Sequence, residues 1–180
     1  LLTYSAGAAS HAAAGHGLER VAIADFDGPP GHGTQAIFER EPRVLFLSSH
    51  QMPLDPDTGY ANEHGVGNII NAPLPPGAGG EPFRATWTTR LLPALDAFAP
   101  QLVMTSAGFD APRPDPLAKL NLDAADYARL TQRLVAVADR QATCHLVSRP
   151  EGGLTPTTLP HPARPAVACH PGPPLSSAPP

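Results

Sequence analysis

The stretch Val21-Ala22-Ile23-Ala24-Asp25-Phe26-Asp27-Gly28-Pro29-Pro30-Gly31-His32-Gly33 decides how this chain is read. It opens with small and branched apolar residues and ends in glycines and prolines. That order predicts a buried strand running into a loop, with Asp25 and Asp27 at the strand's carboxyl end. In open α/β sheets, ligands sit just outside the carboxyl ends of strands. Two carboxylates placed there either hold a cation or cap a turn.

Outward from that strand, apolar runs alternate with helical patterns. Residues 6–15 are alanine-rich and predict a helix leading into the strand. Residues 34–40 predict a short helix behind the glycines, with Ile37 and Phe38 inward. Residues 44–49 (Val-Leu-Phe-Leu-Ser-Ser) are apolar without alternation, as in a parallel strand covered on both faces. Residues 52–67 form a long loop, a length that is uncommon unless functional. A strand follows at 68–74, then a helix at 81–98 that Pro93 should kink, then a strand at 102–106. Residues 111–120 form a proline-broken loop. The clearest helix is 123–140: Asp123 is a good N-cap, Asp126 sits near the positive end, and Tyr127, Leu130, Leu134 and Val137 form the buried stripe. A last strand is expected at 144–148, with Cys144 as a buried thiol. Strands alternating with helices predict an α/β fold, a three-layer α/β/α sandwich with a mainly parallel sheet.

Composition narrows the partners. A chain of 180 residues is one domain or most of one. A net charge of −4 without a Lys/Arg cluster argues against nucleic acid or an anionic membrane surface as partner. No apolar run approaches the ~20 residues that span a bilayer. Two cysteines make no disulfide framework and Leu1–Ser5 does not resemble a signal peptide, so a cytoplasmic location is expected. The oligomeric state is not set by the sequence. Of the 24 prolines, 10 fall within residues 150–180. The chain therefore divides into a body, 1–154, and a Pro-rich tail, 155–180, expected to be disordered.

Asp110 closes the unit Ser106-Ala107-Gly108-Phe109-Asp110 much as Asp27 closes the first strand. Parallel strands bring their carboxyl ends to one edge, so Asp25, Asp27 and Asp110 converge on a cation or else cap separate βα turns. Several motifs then stand in a telling order: residues 20–35, Pro73-Leu74, Ser106 to Asp110, Asp115-Pro116-Leu117, Leu120-Asn121-Leu122 and Glu151-Gly152-Gly153. Together they resemble the histone deacetylase superfamily, closest to the bacterial enzymes grouped with class II deacetylases and acetylpolyamine amidohydrolases, over about residues 3–154.

That resemblance implies an arginase-like fold, incomplete here at both ends. It also implies a Zn²⁺-dependent amidohydrolase acting on acetyl-lysine proteins, acetylpolyamines or similar small acetylated amides. Asp27 and Asp110 match two zinc ligands. Asp25 and Ser48 match residues that hold a structural monovalent cation, K⁺. The family's ligating histidine falls at Pro29 and the next histidine at Pro30, and proline offers a metal no lone pair. Two carboxylates alone make a hard-oxygen site, poor for zinc. His32 would substitute only if the loop is rebuilt; a solvated loop histidine is the plainer reading. The family's paired base histidines would precede Leu1. Its transition-state tyrosine falls at Leu154, which has no hydroxyl for an oxyanion. Motif agreement stops there, and the Pro/Ala/Thr/His-rich remainder is what a shifted reading frame in GC-rich DNA would yield.

The other histidines carry blander expectations. His50 reads as structural or channel-wall, His64 as solvated, and His11 and His16 as surface. Trp87 reads as core. Three functions follow: a member of a zinc-dependent deacetylase family that is inactive as written, a non-catalytic fragment or pseudoenzyme acting, if at all, by binding, or a regulatory binding module using the 52–67 loop.

Overall fold

A computed structural model describes residues 4–26, 31–53, 58–108, 120–142 and 146–152. The order is α1 (Tyr4–Gly15), β1 (Val21–Asp25), α2 (His32–Phe38), β2 (Val44–Gln51), β3 (Ile69–Leu74), α3 (Gly80–Thr86), a π-helical turn (Trp87–Leu91), α4 (Leu92–Phe98), β4 (Leu102–Gly108), α5 (Ala124–Gln141) and β5 (Leu146–Gly152). The five strands form one parallel sheet in the order β3-β2-β1-β4-β5. The chain winds outward from β1 to β3, then returns to the other side of β1 for β4. The strand order therefore reverses between β1 and β4, and a crevice opens outside their carboxyl ends.

Alternation along the strands feeds two cores. Ala22, Ala24, Leu45 and Leu47 point toward Phe83, Trp87, Leu91 and Leu95 of the α3–α4 segment and toward Tyr127, Leu130, Leu134 and Val137 of α5. Val21, Ile23, Val44 and Phe46 point the other way, toward Ala6, Ala9, Ala12 and Ala13 of α1 and Phe38 of α2. Helices thus cover both faces and the three-layer α/β/α architecture stands. The small alanines of α1 let that helix lie close against the sheet, where α1's contacts are with β1 and β4.

Local chemistry sets the element ends. The Asp123 side chain accepts from the Asp126 N–H at 2.9 Å, and the Asp126 carboxylate accepts from the Asp123 N–H at 3.1 Å. Asp126 therefore completes a capping box besides lying near the helix's positive end. It also pairs with Arg84, which ties α5 to α3. Pro93 does not simply kink its helix. It lacks an N–H, and the backbone widens just before it: the Leu92 N–H reaches back to the Trp87 carbonyl through one π turn.

Three sequence expectations are corrected. Phe38 is buried but Ile37 is 53% exposed, because a seven-residue helix resting on one side of the sheet buries only one of two adjacent apolar positions. The short helix runs from His32 to Phe38 rather than over 34–40, since Gln35 N–H already bonds Gly31 C=O at 3.0 Å. The last strand runs 146–152, beyond the expected 144–148, and its register shifts opposite Ala107 and Gly108. Cys144 and the 155–180 tail lie outside the described residues. Among the described residues, no helix is long and apolar enough to cross a membrane.

Candidate functional site

At the carboxyl edge the sheet changes character. Parallel pairing sets Asp25 level with Ser48 on one side and with Ser106 on the other. Ser48 in turn is level with Asn71 on β3. The four form one row, Asn71–Ser48–Asp25–Ser106, across four adjacent strands. Their strand positions place them on the α1–α2 face, one residue pair beyond Ile23, Phe46, Ile69 and Met104. All four are buried, Asp25 to 3% exposure. A carboxylate, two hydroxyls and an amide in one buried line are oxygen donors that water does not reach freely. Gly31 lies directly against this row: a Cβ there would stand 2.2 Å from Asp25 Oδ2. Only a residue without a side chain permits that approach.

A second tier lies beside the row. His50, fully buried, joins Ser48 through Nδ1 at 2.9 Å and donates from Nε2 to the Gly59 carbonyl at 2.9 Å. Burial pushes its imidazole below the usual histidine value, and the Gly59 bond only partly opposes this. The ring is therefore neutral near pH 7. The Gly59 N–H donates to Glu63 Oε2 at 3.0 Å, and Gln35 Nε2 donates to the same oxygen. Asn71 Nδ2 donates to Gln35 Oε1 at 2.9 Å and to the Tyr60 carbonyl at 3.2 Å. Burial raises the Glu63 carboxyl, but the bonds from Gln35, Gly59 and Tyr60, with His32 nearby, bring it below the usual carboxylate range. Residues 58–67 are thereby held over the sheet's polar edge.

The expected site residues fare differently. Asp25 and Ser48 are brought together by register. Asp27 and Asp110 lie outside the described residues, as do Pro29 and Pro30. The strands that lead to them, β1 and β4, are paired directly, and Phe26 N–H bonds Ser106 C=O at 3.1 Å. His32 is not a solvated loop residue: it is the half-buried first residue of α2, bonded through Nδ1 to the Thr58 hydroxyl. His50 is structural in its contacts. His64, His11 and His16 are exposed. Trp87 is core, and its indole N–H donates to Ser49 Oγ at 2.9 Å. Sequence reasoning missed Ser106, Asn71, Gln35 and Glu63 as members of the site. Ser106 stood inside a quoted motif; Asn71 needed the β2–β3 register.

A groove of about 570 Å³ lies elsewhere, among Phe83, Arg84, Trp87, Arg129 and Arg133 on the α3–α5 layer. It contains none of the polar row. The row, at the point where strand order reverses, is the better-founded candidate.

An α/β protein with its site at the carboxyl edge of a parallel sheet is the class so defined. The chain belongs to the histone deacetylase domain family, whose description it matches over residues 3–169. It is 44% identical over 141 residues to a probable deacetylase of Archaeoglobus fulgidus, covering 76% of this chain and 39% of that protein. It is 39% identical to a histone deacetylase-like amidohydrolase of Pseudomonas aeruginosa, covering 83% and 40%. The crystal structure of the HDA15 HD domain superposes with a TM-score of 0.77 at 34% identity, over 86% of this chain and 44% of that one. The chain spans about two fifths of the length of those two curated relatives.

Proposed function

We propose that this chain carries the sheet-edge core of a deacetylase-family amidohydrolase, and that as it stands it binds a monovalent cation at Asp25 and Ser48 without hydrolysing acetylated substrate. The ligand class to which such a site belongs is an acetylated amide, of lysine in a protein or of a small amine. The in-register row Asn71–Ser48–Asp25–Ser106 carries the reading.

The donor sets support opposite conclusions for the two metals. For zinc, family resemblance assigns Asp27, Asp110 and a nitrogen at position 29, where Pro29 stands. Zinc sites favour nitrogen or sulfur, and a catalytic site needs three protein ligands with a water. The residues present do not fit it, and no hydrolytic step is assigned through it. Leu154, where the resemblance expects a tyrosine, supplies no donor to an oxyanion. For a monovalent cation the match is good. Asp25 offers a buried carboxylate, and Ser48 and Ser106 offer hydroxyls on the strands either side of it. Hard cations take oxygen ligands of this kind. Such a cation would offset the charge of the Asp25 carboxylate, buried at the carboxyl end of β1.

Two measurements test the reading. The protein is titrated with zinc and assayed on an acetyl-lysine peptide; zinc below one equivalent and no turnover are expected. Its melting temperature is compared in potassium and in tetramethylammonium at equal ionic strength; potassium should raise it, and Asp25→Asn should abolish the difference. Stoichiometric zinc with turnover overturns the first half, and a melting temperature indifferent to potassium overturns the second.

A further inference from the structure

His50 lies between the polar row and the 58–67 loop, and its two ring nitrogens have different jobs. We propose that His50 is a positioning residue that fixes the Ser48 hydroxyl for cation binding and, through the same ring, couples that binding to the order of the 58–67 loop. This rests on the cation reading above.

The geometry leaves one proton arrangement. The Gly59 carbonyl can only accept, so His50 Nε2 bears the ring hydrogen. A neutral imidazole bears a single N–H, so with Nε2 donating to that carbonyl Nδ1 is an acceptor. Ser48 Oγ, 2.9 Å away, must then donate to it. A hydroxyl has one hydrogen and two lone pairs. With the hydrogen committed to His50, both lone pairs are left for a cation beside Asp25. Without an acceptor at Nδ1, the hydroxyl turns freely, and the Asp25 carboxylate, level with it on the next strand, competes for the hydrogen. An O–H aimed at the carboxylate occupies the space that the cation needs.

The same ring closes a circuit. Ser48 bonds His50, His50 bonds Gly59, Gly59 bonds Glu63, Glu63 bonds Gln35, and Gln35 bonds Asn71, which is level with Ser48. The loop thus hangs from Ser48 and Asn71, two adjacent members of the row. Anything that fixes Ser48 favours the His50 orientation that holds Gly59. By linkage, an ordered loop favours cation binding by the same factor.

Two substitutions separate the two nitrogens. An asparagine amide reaches about as far as Nδ1, and a glutamine amide about as far as Nε2. His50→Asn should keep potassium affinity and lose the coupling to the loop. His50→Gln should keep the loop and weaken potassium about tenfold, the worth of one ordinary hydrogen bond. His50→Phe should lose both. Potassium affinity is read by calorimetric titration against tetramethylammonium, and loop order by hydrogen exchange of the 58–67 amides with and without potassium. Circular dichroism checks that each variant is folded; if His50→Phe is not, the Asn and Gln pair still gives the comparison. Potassium protection of the loop in the wild type, absent in His50→Asn, is the expected result. A wild type that responds to potassium, with His50→Asn and His50→Gln responding equally, overturns this inference alone. A wild type indifferent to potassium overturns it together with the cation reading.

Discussion

Asn68 offers the sharpest test of how the site is held. It sits just before β3 and is almost fully buried. Its Nδ2 donates to the carbonyls of Phe38 at 2.7 Å, Glu41 at 3.0 Å and Val44 at 2.8 Å. Its Oδ1 accepts from Val66 N–H at 3.2 Å. One amide thus ties the end of α2, the turn into β2 and the loop above the polar row. Asn68→Ala removes two hydrogens shared among three carbonyls, at about 1 kcal/mol net per hydrogen bond. Val66 N–H keeps its bond to the Glu39 carbonyl, so that loss is small. The total is about 2–3 kcal/mol, or roughly 5–10 °C in melting temperature for a chain of this size. Asn68→Asp keeps the shape but removes both hydrogens and turns a negative charge toward the same three oxygens. It should cost about 1–3 kcal/mol more than alanine at pH 7. The fold would raise that carboxyl above its unfolded value of about 3.9. The added penalty is therefore full above the folded pKa and vanishes as pH falls below the unfolded one. Urea unfolding followed by circular dichroism, at pH 7 and near pH 4, gives both numbers. An aspartate variant as stable as the alanine variant at pH 7 would refute the three-carbonyl geometry.

Glu63 titrates below the usual carboxylate range in the folded chain, so its contribution is present above the unfolded value of about 4.3 and is lost as pH falls through the folded one. Protection of the 58–67 amides, taken relative to their intrinsic exchange rates, should therefore fall as pH drops below the usual carboxylate range in the wild type, and Glu63→Gln should remove that acid step. Trp87→Phe leaves Ser49 Oγ without its indole donor in a buried setting and opens a gap; a loss of about 2–3 kcal/mol in urea unfolding is expected. Pro29→His returns a nitrogen donor to the position that family resemblance assigns to a zinc ligand. It should raise zinc affinity in a calorimetric titration, and the gain should disappear in Pro29→His with Asp110→Asn.

Much of the architecture was legible because the period of the apolar residues changes cleanly between strands and helices. Every described element has a counterpart in the sequence reading, and the buried stripe of α5 is Tyr127, Leu130, Leu134 and Val137 as its spacing predicts. The misses have physical causes. A seven-residue helix has too few turns for periodicity to choose between Ile37 and Phe38. Proline marks strain at residue 93 but not where the backbone releases it; a π turn at 87–91 keeps both Trp87 and Leu91 buried. In the site, Asp25 and Ser48 were visible through family likeness. Ser106 and Asn71 entered only through register, which depends on long-range pairing that no single segment encodes. Gln35 closes the motif at residues 20–35, but its bond to Glu63 was not legible for the same reason: it joins a helix to a loop 28 residues away.

The end of the β1 ladder separates the polar row from Asp27 and Pro29, positions that resemblance assigns to zinc. Asp25 is inside the ladder, flanked by Ser48 and Ser106, with Gly31 pressed against its carboxylate. A change there must be absorbed by two neighbouring strands and a helix start at once. Residues 28–30 come after the ladder in the sequence. Proline is penalised inside a strand for its missing N–H. The sheet therefore constrains Asp25, Ser48, Ser106 and Asn71 through their ladder partners. A change at Asp25 acts on two paired strands at once. For the proposed cation site, the potassium response of the melting temperature tests these ladder-held residues directly, which turnover does not.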